Sequence, residues 1–132
     1  MSFTKAYIGT AVPFLLIDAL WIGFFVGPYY RETVGHLMLE SPNFVAAGLF
    51  YLGYVAGVVM LGVLPALAAN RLKTALISGG VVGAVAYGTF ALTNLSVLQG
   101  WTAGMVVSDI AWGTFLTGLS AGCGFLFARR KP

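Results

Sequence analysis

Four runs of apolar residues, at about 6–28, 44–69, 74–98 and 101–128, fill most of this chain and leave it little choice of fold. Each is longer than the ~20 residues that carry an α-helix, at ~1.5 Å per residue, across ~30 Å of hydrocarbon. In that solvent every backbone N–H and C=O must be satisfied within the protein, so the runs are expected to be helices. Residues 70–73 alone separate the second run from the third, which makes those two an antiparallel hairpin. The expectation is an all-α integral membrane protein, one membrane domain over residues 1–132 arranged as a four-transmembrane-helix bundle. Composition agrees: charged residues make up 8% of the chain, against ~25% in a soluble domain, so water cannot be its main solvent.

Basic residues are distributed unevenly about these runs. Lys5, Arg71, Lys73, Arg129, Arg130 and Lys131 fall on one side of the bundle, and Arg31 alone on the other. Six against one under the positive-inside rule predicts that both termini are cytoplasmic. The first run is read as a retained helix rather than a cleaved leader: it is too long for a signal-peptide core, no Ala-x-Ala site follows it, and Asp18 interrupts it. The net charge of +3 is spread over helix ends and forms no groove-tracking patch, which speaks against nucleic acid as a partner. A single cysteine, Cys123, rules out an internal disulfide, and a single histidine, His36, rules out a His-rich metal site within one chain. No cofactor is implied.

Tyr29, Tyr30 and Trp101 read as interfacial aromatics. In the loop after the first run, Val34, Leu37 and Met38 share a helical face, which predicts a short helix on the membrane surface. His36 in the same loop reads as a solvated side chain. Ser41-Pro42-Asn43 reads as a cap with proline at the first helical position, and Pro65 is expected to kink its helix. Gly53/Gly57, Gly79/Gly83, Gly80/Ala84/Gly88 and Gly118/Gly122 form small-residue rows of the kind that lets helices approach closely.

Two aspartates interrupt the apolar runs, and each opens an Asp-x-x-Trp segment: Asp18 with Trp21, and Asp109 with Trp112. A carboxylate in hydrocarbon costs at least ~2.5–3.5 kcal/mol, and intramembrane acids mark functional sites by default. Asp109 lies about eight residues, ~12 Å, inside the Trp101 interface. Tyr87, Ala91 and Asn94 share a face of the third helix, and Thr89, Thr93 and Ser108 add hydroxyls nearby. The expected constellation is a polar cluster of Asp18, Asn94 and Asp109 walled by Trp21 and Trp112, with Tyr87, Thr93 and Tyr54 as further binding residues. No basic residue within the runs neutralises either acid, so the pair is suited to exchanging a proton or swapping it for a cation. The competing reading is plain interhelical glue, in which each acid serves as a hydrogen-bonding group worth ~0.6–2 kcal/mol. The two segments cross the membrane in opposite directions, as an inverted repeat would, although helices two and three show no matching similarity.

Asp18-x-x-Trp21-x-Gly23, Tyr30-Arg31, Gly35-His36-Leu37, Phe50-Tyr51-x-x-Tyr54, Gly57, Leu92-Thr93-Asn94-Leu95 and Asp109-Ile110-Ala111-Trp112-Gly113-Thr114 span nearly the whole chain. Together they resemble a widespread bacterial family of four-helix inner-membrane proteins catalogued as a domain of unknown function. The resemblance implies the fold and a cytoplasmic-membrane address, and it supplies no activity. It also implies a departure: where the family reads Thr-Tyr-Asp before Leu-Thr-Asn, this chain has Thr89-Phe90-Ala91 and so lacks an acid at position 91.

Three function classes follow. The first is proton-linked transport or binding of a small solute or amphipath through Asp18, Asn94 and Asp109; a four-helix chain is small for an alternating-access pathway, which favours a homodimer. The second is a non-catalytic accessory or lipid-binding subunit whose glycine faces pack on a partner membrane protein. The third, a lipid-modifying enzyme, has least support: the acids are not accompanied by a nucleophile–base pair, a histidine cluster or a phosphate-cradling loop.

Overall fold

The structure, a computed structural model, describes residues 2–129. Four helices are long and apolar enough to cross a membrane: α1 (Phe3–Leu37), α2 (Phe44–Ala69), α3 (Leu72–Val97) and α4 (Ala103–Ala128). The described residues contain no strand. One end of the bundle carries the start of α1, the α2–α3 turn and Arg129. The other carries the two loops at 38–43 and 98–102. Arg130 and Lys131, two of the residues behind the orientation expected from sequence, lie outside the described residues.

Local chemistry sets the helix ends. Asn43 caps α2, its side chain accepting a hydrogen bond from the Ala46 N–H at 3.1 Å. The cap is therefore Asn43 itself, and Pro42 stays outside the helix rather than opening it. Thr102 caps α4 in the same way, accepting from the Met105 N–H at 3.1 Å. Asn70 ends α2 in the left-handed region at φ 54°, a conformation asparagine tolerates better than most residues, and the chain reverses at once into α3. The surface helix expected around Val34, Leu37 and Met38 does not form separately. Instead α1 runs on through Val34 and closes in one 3₁₀ turn, Gly35–Leu37, with Val34 buried against Tyr30 and Met105.

Two prolines reshape their helices without breaking them. A proline lacks the N–H that would bond the carbonyl four residues back, and its ring crowds that carbonyl. Ahead of Pro28 the chain opens into a π turn, Ile22–Val26, in which the Gly27 N–H reaches Ile22 O. Ahead of Pro65 a second π turn, Val59–Val63, lets the Leu64 N–H reach Val59 O. The kink expected at Pro65 thus takes the form of a wider turn one step before it. In α1 the π turn also changes register. Twelve residues of plain α-helix would leave Tyr30 about 120° around the axis from Asp18. A π turn absorbs one extra residue, which cuts the offset to about 20° and brings Tyr30 onto the aspartate's face.

The most buried helix is α4. It packs along α3 on one side and α1 on the other, and α1 and α3 scarcely touch. The α3–α4 seam is built from missing side chains. A Cβ on Gly79 would come within 2.7 Å of the Ala121 Cβ, and one on Gly118 within 3.0 Å of the Leu76 carbonyl oxygen. The small-residue rows on α3 and α4 therefore serve close approach. Gly53 and Gly57 differ: a Cβ on either would meet nothing within 4 Å, so their face of α2 has no partner within the described residues. Toward the terminal end, Ala6, Val59, Val63, Ala75, Ala121 and Phe125 close a shared core. Toward the loop end α2 stands away from it, with Phe44, Val45 and Leu49 exposed.

Candidate functional site

Because α1 and α3 flank α4 and scarcely touch each other, a gap remains between them, and the first half of α2 stands across it. All four helices line the resulting cavity of ≈ 420 Å³. Asp18 and Trp21 come from α1, Tyr51 from α2, Tyr87 from α3, and Asp109 and Trp112 from α4. Both acids are nearly out of reach of any solvent, with 5% of Asp18 and 8% of Asp109 exposed.

Each carboxylate is tied to neighbours on other helices. The Trp112 Nε1–H donates to Asp18 Oδ1 at 3.0 Å, and the Tyr51 hydroxyl donates to Asp18 Oδ2 at 2.8 Å. The Tyr30 hydroxyl donates to Asp109 Oδ2. The two Asp-x-x-Trp segments are thus cross-connected: the indole of the second serves the acid of the first. The indoles also stack, with ring centroids 4.2 Å apart and planes 8° from parallel. Tyr30 is held for its task by Trp101, whose ring meets it edge-on at 5.5 Å, and by Val34 and Met105. Phe14, fully buried, wedges the ring of Tyr51 at 5.9 Å.

Of the candidates read from sequence, Asp18, Trp21, Tyr87, Asp109 and Trp112 share this cavity, whereas Asn94, Thr93 and Tyr54 are not among its walls. Asn94 does not join the aspartates. It shares a helix face with Tyr87 but sits seven residues further along α3, ~10 Å nearer the loop end, where it is half-buried. Thr93 is exposed on α3. Tyr54 lies one turn past Tyr51, where its hydroxyl bonds that of Thr117 at 2.8 Å. Ala91 is completely buried. His36 is exposed, away from the acids.

The sequence reading missed Tyr30 and Tyr51 as partners of the acids. Tyr30 was hidden by the register change, whose one visible sign is the Gly27-Pro28 pair. Tyr51 stood in the Phe50-Tyr51-x-x-Tyr54 motif of the family resemblance, but nothing in the sequence tied it to an acid. Chemically, the arrangement offers two acids in a half-open aromatic pocket, and no Lys, Arg or His stands among its lining residues. Among the described residues no group of three or more His, Cys, Asp or Glu could hold a metal ion.

No curated protein and no solved structure matches the chain. A family model does, described as a predicted membrane protein (DUF2177), and it covers residues 3–126. With the match running through all four helices and both Asp-x-x-Trp segments, the chain belongs to this family of membrane proteins of unknown function.

Proposed function

We propose that this chain is a single multi-pass domain of the bacterial cytoplasmic membrane, both termini inside, that binds a small solute or amphipath in its central cavity and exchanges it with protons. The observation that carries this reading is the convergence of two nearly buried acids, from the first and last spans, on one cavity without a basic neighbour. At ≈ 420 Å³ the space falls in the range that small-molecule sites occupy. In this reading Asp18 and Asp109 take and release the proton. Trp112, Tyr51 and Tyr30 position them, and Trp21 and Tyr87 form walls. A second copy of the chain would supply the rest of a pathway that four helices scarcely enclose.

The test is proton flux into reconstituted vesicles loaded with a pH-sensitive dye. Asp109→Asn and Asp18→Asn are each expected to suppress it; flux indifferent to both substitutions rejects the reading. One observation favours the accessory-subunit alternative, the open face at Gly53 and Gly57. In that case Gly53→Leu would release a co-purifying membrane partner and leave vesicle flux at background in every variant.

A further inference from the structure

The walls of the cavity narrow the chemistry of its occupant. Apart from the two acids, they are mainly aromatic: the stacked pair Trp21 and Trp112, with Tyr51, Tyr87 and Phe90 around them. Indole and phenol rings present a negative face, which attracts cations most strongly where water is excluded. The acids add formal negative charge in the same half-open pocket, and the lining offers no basic residue to an anion. Only Oδ2 of Asp109 takes a hydrogen bond from the described residues, although the side chain is 8% exposed and lines the cavity. Asp18, by contrast, has both oxygens engaged.

A small inorganic cation fits these walls poorly. It requires several hard oxygen ligands to replace its hydration shell, and here the available oxygens are a few among carbon surfaces. A cation shielded by its own carbon substituents sheds water readily and keeps its attraction to both rings and carboxylates. We infer that the occupant is a lipophilic organic cation, a quaternary ammonium or protonated amine on an apolar body, held by Asp109 and the aromatic walls. This deepens the proposed solute-binding role and rests on it. The exchange is then charge-balanced: one monocation enters as one proton leaves the acid pair.

The probes are benzyltrimethylammonium, its neutral carbon isostere neopentylbenzene, and the anion benzylsulfonate, each titrated by equilibrium dialysis against the purified full chain in detergent. The cation is expected to bind at least about tenfold more tightly than the isostere, with the sulfonate weaker still. In Asp109→Asn the cation's advantage over the isostere is expected to shrink severalfold, leaving the part owed to the rings. Because the wild-type comparison alone decides the sign, a variant that fails to fold does not spoil the test. An isostere that binds as well as the cation, or a preference for the sulfonate, overturns the cationic class and leaves the solute-binding role standing. Binding of none of the three, with proton flux still dependent on Asp109, also overturns the cationic class alone. Binding of none together with indifferent flux overturns both.

Discussion

Asp18 receives hydrogen bonds from two helices that lie far away in sequence, Tyr51 on α2 and Trp112 on α4. Each bond fastens a wall of the cavity to α1, so removing a donor loosens the wall and leaves a nearly buried acceptor short of a partner. Tyr51→Phe keeps the ring against Phe14 and deletes only the hydroxyl. It is expected to cost about 0.6–2 kcal/mol, the span measured for polar contacts between membrane helices. Thermal unfolding in detergent, followed by loss of monodisperse protein, reads this directly. Tyr7→Phe is the comparison: its hydroxyl bonds the Leu52 carbonyl at an exposed site, and the effect there should be smaller.

At the scale of the element, the contrast lies between glycines that are used and glycines that are not. Gly79 sits where a Cβ would meet Ala121 and the Thr117 carbonyl at 3.0 Å or less, whereas Gly53 faces open space. Gly79→Ala is expected to destabilise by about 1–3 kcal/mol through overpacking of the α3–α4 seam. Gly53→Ala should fall within about 0.5 kcal/mol of the parent. Paired melting curves distinguish the two, and equal losses at both sites would contradict the packing described.

How far each element was legible follows the same physics. Hydropathy alone located the four spans to within a few residues at most ends, because length and composition are what the bilayer selects. The exception was α1, which carries on past Pro28 and Tyr30 where the apolar run fades. Helical spacing put Tyr87 and Asn94 on one face of α3, but of the two only Tyr87 reaches the cavity. Spacing also presumes an unbroken 3.6-residue turn, and the Ile22–Val26 π turn violates that between Asp18 and Tyr30. The repeated Asp-x-x-Trp spacing suggested two tryptophans walling one acid cluster, but not which indole would bond which acid. The cross-connection from Trp112 to Asp18 is a tertiary fact that no local pattern encodes.

For the whole molecule, charge is sorted by end. Arg71, Lys73 and Arg129 are exposed at the terminal end, while Arg31 and Glu32 are exposed at the loop end. Under the proposed orientation the terminal end faces the cytoplasm. In a Cys123→Ala background, His36→Cys is expected to react with a membrane-impermeant maleimide on intact spheroplasts, and Lys73→Cys only after lysis. The reverse pattern would invert the orientation, and with it the direction in which protons and solute are exchanged.

The bond from Trp112 to Asp18 joins residues 94 positions apart. While the chain is being made, the first hairpin therefore reaches the bilayer with its aspartate lacking one of the two donors it will finally have. That donor arrives only when the last span does. Until then α1 holds an acceptor short of a partner, and a chain halted before α4 should be a preferred target for membrane proteases. The site is therefore closed only once α1 and α4 are both in place.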